Sequence, residues 1–231
     1  MRKIILLLLI STSYSFGQET NEIWSGMGVT KKLNSKIDAT LDLNSRVYSN
    51  TLQLLYPELT IKYKINKWFK PSIDYRGLYE LNKYGNYKYA NRFNINLNFE
   101  KSLKKFSFGL RLRYQYVFNG LQSTENYSPE FDQTIRIKPS VKYQIKKSKF
   151  TPSASVEWFY NPQNGPTGDR FDKIRGSIGT DINLKGPHLL SISYLYGQNI
   201  NVAKTKSQNI ISIYYCYTIG EKKSKKSKKK E

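Results

Sequence analysis

The segment Tyr89–Asn119 alternates apolar and polar residues over two long runs. The apolar positions of these runs are Phe93, Ile95, Leu97 and Phe99, and then Phe106, Phe108, Leu110, Leu112, Tyr114, Tyr116 and Phe118. Side chains of a strand point alternately to opposite faces, so each run predicts a strand with one apolar and one polar face. Each run is longer than an ordinary strand of about 5–6 residues. Their length suits the tilted strands of about 9–11 residues that cross a bilayer.

The same alternation recurs from Lys36 to Ile219 and predicts an all-β fold, a closed antiparallel up-and-down transmembrane β-barrel. Ten strands fit an even strand number and an exported N-terminus that starts on the periplasmic side. Twelve strands, with one unrecognised, is the alternative. The barrel is expected to span residues 34–219. Residues 18–33, which contain Trp24, are expected to be an N-terminal segment or an extra strand, inside the lumen or along the seam.

Both ends of the chain have a composition unlike that of the predicted barrel. Residues 1–17 combine a basic start, an apolar run and small residues before a cut at Gln18, which predicts a cleaved signal peptide. The apolar run is too short for a spanning helix of about 20 residues. Residues 220–231 are rich in lysine, and self-repulsion predicts a disordered tail. The chain is therefore expected in the outer membrane of a Gram-negative bacterium.

The formal net charge is +21, which raises the question of the partner. Basic residues alternate with apolar ones along the strands instead of clustering, so nucleic acid is not an expected partner. The expected partners are outer-membrane lipid and the barrel-assembly machinery. The lysine tail adds anionic headgroups or cell-wall polymer as further candidates. The single cysteine, Cys216, and the single histidine, His188, leave no pattern for a metal site, and no cofactor is expected.

A diffuse set of residues resembles a known family. These residues are Trp24, Arg46, Arg92, the run EWFYN at Glu157–Asn161, Phe171, Arg175, Gly179 and Tyr194. They are similar to the domain-of-unknown-function family twenty-four-ninety, small predicted outer-membrane barrels of Gram-negative bacteria. The resemblance covers most of residues 23–219. It implies a barrel and supplies no activity.

The polar faces of the predicted strands carry both signs of charge. The expected lumen charge cluster comprises Arg46, Arg76, Arg92, Glu100, Arg111, Arg113, Arg136, Glu157, Arg175 and Asp181. Unpaired buried charge costs several kcal/mol, so these groups should pair. A barrel of about ten strands is near the size that side chains fill. We therefore expect a lumen filled by charged side chains and a structural or binding role, with a small anion-biased pore as one alternative.

An outer-membrane lipid-modifying enzyme is the second alternative. A serine nucleophile requires an activating base. Ser155 shares a predicted face with Glu157, but this spacing is common in strands. His188 lies in a tight turn, where a solvated histidine is the simpler interpretation. The catalytic residues are therefore unknown, and an enzymatic role is not favoured.

Overall fold

The computed structural model describes residues 18–82, 84–119, 133–163, 168–202 and 205–220. Within them the chain forms a closed barrel of eleven strands. The strands are β1 (Gln18–Lys32), β2 (Ile37–Tyr48), β3 (Thr51–Tyr63), β4 (Ser72–Leu81), β5 (Tyr87–Leu103), β6 (Phe106–Asn119), β7 (Gln133–Tyr143), β8 (Phe150–Asn161), β9 (Arg170–Asn183), β10 (His188–Asn199) and β11 (Lys206–Ile219). The predicted all-β fold is confirmed. The expected signal peptide and all but the first residue of the expected tail lie outside the described residues. In the described ranges, no helix is long and apolar enough to cross a membrane.

The barrel closes through a parallel pair of strands. β1 pairs with β2 in the antiparallel sense and with β11 in the parallel sense, whereas every other neighbouring pair is antiparallel. The predictions of ten and of twelve strands are therefore wrong. The even number follows only when every pair in the ring is antiparallel, and one parallel seam permits an odd number. The extra segment before residue 34 is the strand that forms this seam.

The two ends of the barrel differ in their connections. The short-turn end contains the connections 33–36, 64–71, 104–105, 144–149 and 184–187. The loop end contains the other five connections. β1 starts at the loop end and β11 finishes at the short-turn end, because the two strands run in the same direction. A barrel that started at residue 34, as expected from the sequence, would begin at the short-turn end, whereas the observed first strand begins at the loop end.

The barrel exterior is apolar. Its exposed aliphatic residues include Leu41, Leu43, Leu59, Ile61, Ile73, Ile95, Leu97, Ile178, Ile192 and Ile213. Exposed aromatic residues lie near both ends of the strands, with Tyr63, Trp68, Phe106 and Phe150 toward the short turns and Tyr79, Tyr87, Phe118 and Tyr196 toward the loops, and a few others, such as Phe93 and Tyr194, lie in mid-strand. The alternation of the sequence therefore placed the apolar faces correctly, and they point away from the lumen.

The lumen is packed in its loop-end half. Leu54, Tyr56, Leu78, Ala90 and Val117, from β3 to β6, form a buried apolar cluster there. Leu78 and Ala90 are almost completely inaccessible to solvent. These side chains close the loop-end half of the lumen next to β3–β6. Charged groups of the lumen lie on the side of this cluster that faces the short-turn end.

Candidate functional site: the lumen belt and the short-turn chamber

Glu157 on β8 is the centre of the largest charge cluster in the lumen. Its side chain is only 4% exposed. Arg136 binds both carboxylate oxygens, with Nε 3.0 Å from Oε1 and Nη2 2.9 Å from Oε2. Arg111 Nη2 donates to Oε1 at 2.7 Å, and Arg175 Nη1 lies 3.9 Å from Oε2. A bidentate arginine fixes a carboxylate in one orientation, so four adjacent strands, β6 to β9, are tied at one point.

A second buried ion pair lies on the wall formed by β4, β5 and β6. Arg113 Nη2 is 2.9 Å from Asp74 Oδ2, and both side chains are almost fully buried. Asn96 connects the two, because its Nδ2 donates to Asp74 at 2.9 Å and its Oδ1 accepts from Arg113 Nε. The side-chain amide thus satisfies groups that the ion pair alone would leave without partners.

A third ion pair joins directly opposed positions of β3 and β4. Glu58 Oε2 lies 2.5 Å from Arg76 Nε, and each side chain is 10% exposed. Arg76 also lies over the ring of Tyr56, with 5.0 Å between the guanidinium carbon and the ring centroid. The pair is therefore shielded on one side by the buried apolar cluster.

Aromatic rings connect arginines from different strands, and Trp24 does so across the seam. The Trp24 ring has Arg46 at 4.0 Å and Arg175 at 4.9 Å from its centroid. The Phe159 ring likewise has Arg136 at 4.5 Å and Arg175 at 5.0 Å. Such contacts are favourable and are strongest where water is excluded. Together with the ion pairs they form a belt across the lumen. We define the lumen belt as Trp24, Arg46, Tyr56, Glu58, Asp74, Arg76, Arg111, Arg113, Arg136, Glu157, Phe159 and Arg175.

The ten residues of the expected charge cluster do not all lie together. Seven of the ten belong to the lumen belt, namely six arginines and Glu157. Arg92 is paired in register with Arg76 and Val117 in the backbone ladder beside the belt. Glu100 and Asp181 lie instead toward the short-turn end, where Lys70 is 2.8 Å from Glu100 and Lys142 is 2.6 Å from Asp181.

The sequence interpretation missed the aromatic members of the belt. Tyr56 has the same strand parity as Glu58, and Phe159 has the same parity as Glu157. The alternation of the strands therefore predicts both rings in the lumen, on the same face as the two glutamates. The sequence interpretation instead assigned aromatic residues to the exterior because of their type. An aromatic ring inside is compatible with this lumen because an arginine lies over its face.

A chamber of about 520 Å³ occupies the short-turn half of the lumen, next to Arg111 of the belt. Seven serines line it: Ser107, Ser140, Ser153, Ser155, Ser177, Ser191 and Ser193. Its charged lining residues are Lys62, Lys70, Lys138, Lys142, Arg111, Glu100 and Asp181. Side-chain exposure falls from about half at Lys142 and Glu100 to 4% at Glu157. The short-turn chamber therefore opens at the short-turn end, and the lumen belt forms its inner boundary.

The chemistry considered for an enzyme finds no support in this arrangement. Ser155 Oγ lies 2.6 Å from Ser177 Oγ, and the oxygens of Glu157 are bound by arginines. His188 Nδ1 lies 2.6 Å from Tyr215 Oη at the short-turn rim, outside the short-turn chamber. Ser155 thus has a second hydroxyl and not a base as its partner. Among the described residues, no group of three or more His, Cys, Asp or Glu side chains is placed to hold a metal ion.

Comparison with known families gives one match. A family model described as "protein of unknown function (DUF2490)" matches residues 21–209. The chain belongs to the DUF2490 family. The matched DUF2490 segment begins in β1 and ends in β11, so it contains every residue of the lumen belt and of the short-turn chamber. A search of curated proteins found no match.

Proposed function

We propose that this DUF2490 chain is an outer-membrane β-barrel with a structural and binding role, and that side chains close its lumen. The observation that carries the proposal is the exposed aliphatic exterior between two sets of aromatic residues on a closed barrel. Soluble monomers rarely expose contiguous apolar surface of more than a few hundred Å². Hydrocarbon next to the aliphatic residues and headgroups next to the aromatic ones would satisfy such an exterior.

The remaining parts of the proposal follow from the sequence. Residues 1–17 would direct export and be removed, and the barrel-assembly machinery would then insert the strands into the outer membrane. In outer-membrane barrels short turns face the periplasm and long loops face outward. This orientation would place the short-turn chamber and the lysine tail on the periplasmic side, and the start of β1 on the outer side.

Burial inside the lumen favours a closed barrel over the anion-biased pore. Asp74, Asn94 and Asn96 are at most 2% exposed. Groups that line a water-filled channel would be accessible to solvent. Three carboxylates of the lumen belt also offset half of the charge of its six arginines, which lowers the selectivity for an anion.

The behaviour of the purified protein tests the membrane proposal. We expect the folded protein to require detergent and to migrate differently in unheated and boiled samples on a denaturing gel. A monodisperse protein in buffer without detergent, or extraction from cell envelopes by salt alone, would contradict the proposal.

Conductance in planar bilayers tests the closed lumen. We expect no discrete current steps from the folded protein at an amount for which a general porin gives many. Regular steps with anion selectivity would favour the pore instead.

A further inference from the structure

We infer that the short-turn chamber binds a phosphate ester of a small polyol, with Lys62 and Lys138 neutralising the phosphate. The inference rests on the proposed binding role. The lumen belt and the buried apolar cluster fill the rest of the lumen, so the lined cavity of about 520 Å³ next to the belt is not needed for that closure. Its volume lies in the range of about 300–1,000 Å³ that small-molecule sites occupy.

The charges of the short-turn chamber are not balanced. Three cations have carboxylate partners: Lys70 with Glu100, Lys142 with Asp181, and Arg111 with Glu157. Lys62 and Lys138 also line the short-turn chamber, and neither forms a salt bridge within the described part of the chain. Both are partly buried. Partly buried ammonium groups that form no salt bridge favour an anionic ligand, whose oxygens would accept charge-assisted hydrogen bonds.

The remaining lining points to the rest of the ligand. Seven serines line the cavity, and a hydroxyl can both donate and accept hydrogen bonds. Ser191 already donates to Asp181, and Ser155 and Ser177 share one hydrogen bond, so the other hydroxyls would supply most of the donors to a ligand. The two phenylalanines at the border of the cavity are engaged with other rings, since Phe99 stacks on Phe69 at 4.8 Å and Phe108 on Phe106 at 6.2 Å. Recognition would therefore rely on hydroxyls and charge and not on stacking, which suits a small polyol that carries a phosphate.

The surroundings of the mouth favour the same sign of charge. The five connections at the short-turn end carry ten lysines and no Asp or Glu. We call these residues the lysine collar: Lys36, Lys64, Lys67, Lys70, Lys104, Lys105, Lys146, Lys147, Lys149 and Lys185. The five connections at the loop end carry two lysines and four acidic residues. Lys64 and Lys70 are paired with Asp38 and Glu100, but the rim as a whole is basic. A basic rim concentrates anionic ligands and speeds their association, in a salt-dependent way.

Calorimetric titration of the full barrel in an amine-oxide detergent tests the inference. The probes are glycerol 3-phosphate, dihexanoyl phosphatidylglycerol, glycerol and inorganic phosphate. We expect saturable binding of a phosphate ester, weaker binding of inorganic phosphate and none of glycerol. Binding of glycerol 3-phosphate would identify a soluble ligand, and binding of the lipid alone would identify a headgroup with the same chemistry.

Two matched double variants separate the site from general charge. Lys62→Gln with Lys138→Gln should weaken binding about tenfold or more, because charged hydrogen bonds are lost. Lys147→Gln with Lys185→Gln removes the same charge from the lysine collar and should weaken binding less than about threefold at 150 mM salt, where charges farther apart than about 8 Å are screened.

Equal loss in the two double variants would overturn the inference. Absence of binding by a protein that keeps its heat-modifiable gel band would also overturn it while leaving the proposed barrel intact. Loss of that band in the unmodified protein would instead count against the proposed function.

Discussion

Trp24 and Arg46 occupy directly opposed positions on β1 and β2, and the Arg46 guanidinium carbon lies 4.0 Å from the centroid of the Trp24 ring. Arg175, on the other side of the seam, lies 4.9 Å from the same ring. The first strand is therefore held by side chains in the lumen as well as by its two backbone ladders.

Trp24→Ala should lower the free energy of unfolding by about 2–4 kcal/mol, because a partly buried ring and its cation–π contacts are lost. Trp24→Phe keeps a ring between the arginines and should lose less than half of that amount. Urea unfolding in detergent micelles measures both free energies. The signal is far-UV circular dichroism, because the substitution removes a tryptophan that fluorescence would need. An equal loss of stability in the two variants would show that the contacts of the arginines with the ring face do not stabilise the fold.

Glu157→Gln should lower the free energy of unfolding by about 3–5 kcal/mol, because it leaves Arg111, Arg136 and Arg175 without their shared counterion. The control is Glu100→Gln, which removes a half-exposed carboxylate from a single ion pair and should cost about 0–1 kcal/mol. The urea midpoints of the two variants provide the comparison. A Glu157→Gln protein as stable as the control would mean that the lumen belt is solvated.

Gly28→Ala should destabilise the seam by about 1–3 kcal/mol. A Cβ atom at this position would collide with Asp42 Oδ1 and with the Tyr214 hydroxyl, and these two groups are themselves hydrogen-bonded. Gly176→Ala is the matched control, since its Cβ would meet no atom within 4 Å. The temperature at which the folded gel band disappears reports both changes. A larger shift for the control would contradict the packing at the seam.

Labelling of introduced cysteines tests the orientation that the proposed function implies. In intact cells a membrane-impermeant maleimide should react with Tyr84→Cys at the loop end and not with Lys67→Cys at the short-turn end. Both positions are exposed, and the native Cys216 is buried. Permeabilised cells should show labelling of both. The reverse pattern in intact cells would place the short-turn chamber on the outside.

Strand existence and the direction of most side chains could be predicted because both depend on a local period of two. The apolar faces of Leu59 and Ile61 or of Ile95 and Leu97 follow directly from that period. The parallel seam could not be predicted in this way. It depends on which strands meet after a full turn of the barrel, and β1 has a weak pattern because Ser25 and Lys31 interrupt its apolar face.

The candidate site was predictable only as a set of charges. Parity placed Arg136 and Glu157 in the lumen, but their ion pair depends on a register between β7 and β8 that no local pattern specifies. The short-turn chamber depends on the small size of its serines, such as Ser153 and Ser177, over several strands. Small polar residues give a weak signal in a single strand, and only closure of the barrel brings them to one space.

The seam also determines which strands must be present before the ring can close. β1 is the first strand of the chain, yet one of its two neighbours, β11, is the last. Until that final segment arrives, the leading strand has an unsatisfied edge, and an interrupted polypeptide cannot complete the ring at all. Closure of this barrel thus requires all eleven strands, because its last strand completes the ladder of its first.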